Sequence, residues 1–145
     1  RAMARRLQAE HGLGLLVVDY LQLMSSRRNY DSPVQQITEI SRGLKGLAKE
    51  LNIPIIALHQ LKREVSERPD KRPQLTDLKQ TGQTENDADT VILLHRDGYY
   101  QDSGLTEEPA ELIIAKQRDG PVGVIKIIWH AENMSFTEPP DSPLC

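Results

Sequence analysis

The segment LLVVDYLQLM, residues 15–24, decides the fold class of this chain. Its first four residues are apolar, with Val17 and Val18 β-branched, and this pattern predicts a strand that is covered on both faces. Strands of that kind are typical of parallel sheets. Asp19 ends the apolar run, so we expect it at the carboxyl end of the strand, where open α/β sheets form their ligand crevices.

Predicted helices and strands alternate around this segment. Helices are predicted over residues 1–11 and 34–51, the second from apolar side chains at helical spacing. Further strands are predicted over residues 53–58 and 90–94, and a hairpin with its turn at 119–121 joins strands over residues 111–116 and 124–129. A short helix is predicted from Thr76 to Gly82. This order predicts an α/β fold with a mainly parallel sheet and a C-terminal β-hairpin.

The composition limits the classes of function. The chain has 145 residues, 38% hydrophobic and 27% charged, which suits one soluble domain, and no apolar run reaches the length of a membrane span. The single cysteine, Cys145, excludes an internal disulfide framework and a multi-cysteine zinc site. A net charge of −3 excludes a strongly basic nucleic-acid binder, so contact with a polyanion must be confined to a few basic residues. We expect a cytoplasmic protein with no membrane contact.

Two polar residues follow the predicted buried strands. Asp19 could hold a magnesium ion that is bound to a nucleotide, or it could cap the turn that begins at Tyr20. Gln60 could orient a water or sense a phosphate oxygen without adding charge, or it could be an ordinary polar residue at a strand end. The histidines lack metal-ligand spacing, and we interpret all of them as structural: His11, His59, His95 and His130.

Two further segments carry cations. Lys116 and Arg118 are two residues apart, so on an extended chain both could reach one anionic target, although a solvated turn is the commoner explanation of such a pair. Lys79, Gln80 and Gly82 combine a cation, an amide and a flexible backbone that could hold a phosphodiester strand. A helix C-terminus would account for the same residues.

Together these segments resemble the DnaB family of replicative helicases. Residues 15–24 resemble its Walker B segment, and residues 55–61 resemble the next motif, which holds a phosphate-sensing Gln. Residues 74–82 are similar to its DNA-binding loop. Residues 113–121 resemble the strand and turn that carry a Lys and an arginine finger. The resemblance implies a RecA-like P-loop NTPase core, with residues 1–138 as the C-terminal part of the motor domain. Residues 139–145 contain three prolines, and we expect them to form a disordered tail.

The family resemblance implies a role for each candidate. Asp19 would hold Mg²⁺ through water, and Gln60 would sense the γ-phosphate of ATP. Lys116 and Arg118 would act on the nucleotide of the neighbouring subunit. Lys79, Gln80 and Gly82 would contact DNA, although the family usually has Arg-Glu-Ser-Gly where this chain has Lys-Gln-Thr-Gly, and Lys lacks the planar fork of Arg.

The implied function is ATP-driven translocation on single-stranded DNA and duplex unwinding by a ring, usually a hexamer, with a primase and a helicase loader as partners. A non-catalytic RecA-like module for assembly or DNA binding is one alternative. A RecA-type recombinase or repair ATPase is another, which the hairpin with Lys116 and Arg118 disfavours.

The sequence contains no G-x-x-x-x-G-K-[ST] phosphate loop, which in the family lies upstream of the segment that resembles Walker B. We therefore expect this sequence to be a fragment of the motor domain, incomplete at its N-terminus. The 145-residue chain alone should not hydrolyse ATP, because it lacks the cradle for the triphosphate. A phosphate-release assay on the purified chain tests this expectation, and robust turnover would contradict it.

Overall fold

The structure, a computed structural model, describes residues 1–25, 30, 32–61, 68–79, 84–99 and 105–140. These residues fall into two units. Unit 1 comprises residues 1–62 and 76–88, and unit 2 comprises residues 63–75 and 89–145.

Two helices of unit 1 match the predicted ones. Helix α1 spans Ala2–His11, and helix α2 spans Pro33–Leu51, with proline in the first turn, where its missing N–H has no partner to lose. Helix α2 ends because Asn52 adopts the left-handed conformation, at φ 52° and ψ 46°. The N–H of Ile53 then donates to the carbonyl of Ala48 at 3.2 Å, which closes the last turn.

Unit 1 contains two short parallel strands, β1 (Leu16–Val18) and β2 (Ile55–Ala57). Both lie within the predicted segments. The prediction that these strands are covered on both faces is wrong for the residues that the structure describes, because Val17 and its partner Ile56 are each 53% exposed. The continuous apolar run predicts a strand correctly, but it does not reveal which of its side chains have neighbours.

The core of unit 1 lies around helix α2. A 3₁₀ helix over Leu21–Leu23 follows β1, and the side chain of Leu21 is 1% exposed. Helices α3 (Thr76–Lys79) and α4 (Thr84–Asp87) complete the described elements, although the sequence predicts one helix from Thr76 to Gly82 and does not predict α4. The hydroxyl of Ser41 on α2 donates to the carboxylate of Asp87 at 2.8 Å. The buried apolar residues of unit 1 are Ala4, Leu21, Ile37, Ile40, Leu47, Ile53 and Leu78.

Unit 2 contains an antiparallel sheet with the strand order β3-β4-β5-β6. Strand β3 spans Thr90–His95, β4 spans Glu107–Gln117, and β5 spans Gly123–His130. The predicted hairpin is therefore formed by β4 and β5. Strand β6, Ser135–Thr137, is not predicted. It brings the ring centroid of Phe136 to 4.7 Å from that of Trp129.

Strand β4 begins four residues before its predicted start and contains Pro109. Its pairing with β3 stops at Glu111, so in the described part of the sheet Pro109 has a neighbour on β5 but none on β3. Proline is tolerated in a strand where the missing N–H breaks no ladder bond, which is the situation of an edge. This position explains how β4 extends beyond the predicted segment.

The described residues therefore combine a parallel pair with an antiparallel sheet, and the predicted α/β class is confirmed. Parallel pairing is found between β1 and β2, whereas β3 to β6 form a larger antiparallel part than the predicted hairpin. In the part of the chain that the structure describes, no helix is long and apolar enough to cross a membrane. The predicted disordered tail falls mainly on residues 141–145, which lie outside the described residues.

Leu21 should make a large contribution to the stability of unit 1. We expect Leu21→Ala to lower the free energy of unfolding by about 2–5 kcal/mol, because it leaves a cavity in a closed site. Leu23 lies in the same 3₁₀ helix but is 67% exposed, so Leu23→Ala should cost less than about 1 kcal/mol. Urea unfolding of both variants measures the difference, and equal losses would contradict the assigned burial.

Candidate functional site

The carboxyl ends of β1 and β2 lie side by side because these strands are parallel and paired in register. Val18 at the end of β1 is opposite Ala57 at the end of β2. Asp19 follows β1 directly, and Gln60 is the third residue after β2. The structure therefore places both residues at the same edge of the parallel pair, where α/β sheets bind ligands.

Hydrogen bonds continue beyond the last strand residues. The N–H of Leu58 donates to the carbonyl of Val18 at 2.9 Å, and the N–H of Leu21 donates to the carbonyl of Leu58 at 3.0 Å. The buried side chain of Leu21 anchors this segment in the core. The chain after β1 therefore stays attached to the chain after β2.

A side-chain amide joins the same two segments. The Nε2 of Gln22 donates to the carbonyl of Gln60 at 2.9 Å, and the Oε1 of Gln22 accepts from the N–H of Gln60 at 3.4 Å. The same Nε2 lies 3.4 Å from the Nδ1 of His59. Sequence reasoning missed Gln22, and the available signal was a single amide between two leucines, four residues after the end of the strand.

Asp19 is exposed at the strand end and offers one carboxylate. Among the described residues, no group of three or more His, Cys, Asp or Glu side chains is placed to hold a metal ion. Magnesium binds proteins through one or two carboxylates and takes its other ligands from water and phosphate oxygens. Asp19 fits one position of such a set, and the described residues do not form a complete metal site.

A β-bulge sets the position of Lys116 on β4. Val91 pairs with Lys116, whereas the next residue of β3, Ile92, pairs with Ile114, so Ala115 is an extra residue in the ladder. Without the bulge, Ala115 would oppose Val91. Bulges re-aim the side chains next to them and are frequent at functional sites.

Arg118 lies just beyond β4 and contacts Asp89 twice. Its N–H donates to the carbonyl of Asp89 at 2.9 Å, and its Nη1 lies 2.9 Å from the Asp89 Oδ1. The two side chains are 53% and 54% exposed. An ion pair this exposed contributes about 0–1 kcal/mol, so the guanidinium can exchange its carboxylate for another anion at little cost.

The structure changes the geometric reason for linking the two cations. Lys116 is in β4, but Arg118 lies in the turn after the strand ends at Gln117. The alternation of side chains along an extended strand therefore does not apply to this pair. Their action on one anion stays a prediction.

The predicted DNA-contacting segment begins at the end of α3. Lys79 is the last residue of that helix. Gln80 and Gly82 lie outside the described residues.

Two histidines have polar partners inside unit 2. The Nε2 of His95 lies 3.0 Å from the Oδ1 of Asp97, and the imidazole of His95 is buried. The Nδ1 of His130 lies 3.3 Å from the Oε1 of Glu107, and its Nε2 lies 2.7 Å from the hydroxyl of Thr137. These contacts support the structural interpretation of both residues.

Comparison with solved structures assigns the class of protein. The chain superimposes with a TM-score of 0.83 and 41% identity on a solved structure described as an ATPase domain, covering 95% of this chain and 49% of that one. The same score and identity are found for a DnaB-like replicative helicase studied with its interactions with primase, of which 34% is covered. The fold is that of the RecA-like ATPase domains.

Sequence comparison assigns the family. The family model of the DnaB-like helicase C-terminal domain matches residues 1–138, and the chain belongs to this family. It is 48% identical over 137 residues to the replicative DNA helicase DnaB of Geobacillus stearothermophilus, and 44% identical over 137 residues to that of Haemophilus influenzae. These alignments cover 94% of this chain but 30% and 29% of the two relatives.

Burial lowers the pKa of His59, and a smaller interaction with the backbone of Gln60 opposes this shift. The imidazole Nε2 is buried without a hydrogen-bond partner among the described residues. A primary amide nitrogen donates but does not accept, so Gln22 can bond to the Nδ1 of His59 when that nitrogen is unprotonated. The neutral form of His59 therefore fits this site.

The lowered pKa predicts a pH dependence of stability. In the unfolded chain this histidine titrates at about pH 6.5, and the unfolded chain binds the proton more readily than the folded chain. The neutral imidazole therefore contributes to the free energy of unfolding above that pH, and this contribution is lost as the pH falls below it. His59→Gln should reduce this loss of stability at acidic pH. Urea unfolding between about pH 5 and pH 8 measures it.

His11→Gln is the matched control, because its imidazole is 71% exposed at the end of α1. This variant should still lose stability on acidification, because it retains His59. If His59→Gln and the unmodified chain lose equal stability on acidification, the assignment to His59 is wrong.

Proposed function

We propose that this chain is part of a ring-forming replicative DNA helicase that couples ATP hydrolysis to translocation on single-stranded DNA and to duplex unwinding. The observation that carries the proposal is the register of β1 and β2, which puts Asp19 and Gln60 at one edge. Membership of the DnaB-like family supports it. The names of the relatives favour a replicative helicase over a recombinase or a non-catalytic module.

Asp19 and Gln60 would serve the nucleotide bound to their own subunit. The Asp19 carboxylate would hold Mg²⁺ through water, and the ion supplies charge neutralisation for the β- and γ-phosphates when it is bound. Gln60 has a neutral amide that can donate to a γ-phosphate oxygen and accept from a water. It can therefore respond to loss of the γ-phosphate without a change in its own charge.

Lys116 and Arg118 would stabilise negative charge on the phosphoryl group held by the neighbouring subunit. The exposed pair of Arg118 with Asp89 supports this role, because a guanidinium held by a weak surface ion pair can exchange it for a phosphate. The bulge at Ala115 supports a defined position for Lys116. A planar guanidinium also offers two parallel hydrogen bonds to a phosphate.

Lys79, Gln80 and Gly82 would hold the DNA backbone. A short loop per subunit, repeated around a ring, is consistent with a chain whose net charge is −3. The hexamer, the helicase loader and the cytoplasmic location are parts of the same proposal. A primase partner is supported by the structural relative that was studied with primase.

The division between same-subunit and neighbouring-subunit residues can be tested by mixing variants of the longer protein that contains this chain. Asp19→Asn and Arg118→Ala should each abolish ATP hydrolysis. A random mixture of equal parts of the two should recover about one quarter of the activity. About one interface in four then pairs a subunit with an intact Asp19 and a neighbour with an intact Arg118. Steady-state ATP hydrolysis with single-stranded DNA present measures the recovery.

The control mixes Asp19→Asn with Gln60→Ala. Both substitutions affect the same side of the interface, so no combination of subunits forms an intact site, and the mixture should show no more activity than the Gln60→Ala protein alone. If the mixture with Arg118→Ala is equally inactive, Arg118 does not act across the interface.

A further inference from the structure

The side chain of Gln22 forms a reciprocal pair of hydrogen bonds with the main chain of Gln60. Its Nε2 donates to the Gln60 carbonyl at 2.9 Å, and its Oε1 accepts from the Gln60 N–H at 3.4 Å. In an extended chain the N–H and the C=O of one residue point to the same side. A primary amide carries a donor and an acceptor in the same arrangement as a peptide group, so Gln22 substitutes for a strand neighbour of Gln60.

This contact lies where the backbone hydrogen bonds of the two segments end. The last main-chain bond between them runs from the N–H of Leu21 to the carbonyl of Leu58. Gln60 is two residues further on and is exposed. Gln22 follows the buried Leu21 in the same 3₁₀ helix, so the core holds the amide in place.

We propose that Gln22 is a positioning residue, which fixes the main chain of Gln60 so that the Gln60 side chain is directed at the nucleotide. This inference rests on the proposed function. Gln22 contacts the peptide groups of Gln60 and leaves the side-chain amide of Gln60 available for a phosphate or a water. It also links the segment that carries Asp19 to the segment that carries Gln60.

The test uses the longer protein that contains this chain and the variant Gln22→Met, which keeps the length of the side chain and removes the amide. The kcat of ATP hydrolysis should fall roughly tenfold to a hundredfold with little change in KM, because a misplaced sensor loses productive geometry. An unchanged kcat would overturn the proposal.

Gln36 provides a matched control. Its Nε2 also donates to a main-chain carbonyl at 2.9 Å, that of Met24, and it is also partly buried in unit 1. Gln36→Met should therefore lower the Tm by a similar amount as Gln22→Met while kcat stays unchanged. If both variants lower kcat equally, the effect of Gln22 is one of stability, and the positioning role is wrong.

A double-variant cycle distinguishes an effect of Gln22 on the position of the Gln60 side chain from an effect on packing. In a Gln60→Ala background, Gln22→Met should cause no further loss of kcat, because the side chain to be positioned is gone. Its effect on Tm should remain, since the main chain of residue 60 is still present. Independent losses of kcat would contradict the proposal.

Hydrogen exchange of the Gln60 amide tests the contact without an activity assay. The exchange should be faster in Gln22→Met than in the unmodified protein or in Gln36→Met, and an unchanged rate would overturn the inference. If the proposed function is wrong, a different result is expected. The unmodified protein then does not hydrolyse ATP, but the difference in hydrogen exchange between the variants persists. That result would remove the positioning role and retain the contact.

Discussion

The parallel pairing of β1 with β2 is the constraint on which unit 1 depends. Three residues of each strand are paired, and this register alone determines that Asp19 and Gln60 end at the same edge. So short a pair has little hydrogen bonding of its own. The buried Leu21, helix α2 and the amide of Gln22 extend the connection on the side where the candidate residues lie.

Unit 2 organises its cations by a different principle. Its strands are long and antiparallel, and neighbouring main chains hold the hairpin along most of its length. Arg118 lies in the turn, where an exposed carboxylate orients it without binding it tightly. The segments that carry Asp19 and Gln60 are thus anchored through the buried Leu21, whereas Arg118, one of the two cations that would reach another subunit, is held weakly.

Sequence patterns predicted the strands, the long helices and the hairpin, because apolar runs and turn residues are local signals. They did not predict β6 or α4, which are too short to show a period, or the exposure of Val17 and Ile56, which depends on tertiary neighbours. The placement of Asp19 and Gln60 at one edge followed from the rule for parallel strands. The contact of Gln22 with Gln60 could not be predicted, because it requires two segments that are 38 residues apart to be in register.

Because of the bulge at Ala115, the pairing of β4 depends on how many residues the strand contains and not only on which residue types they are. Residues 112–115 are all apolar, so hydropathy does not distinguish a ladder with one extra residue from one without it. In a regular ladder Lys116 would oppose Thr90, on the opposite face of the sheet from Val91. A relative with the same residue types but a different count in this strand would present its lysine to different surroundings.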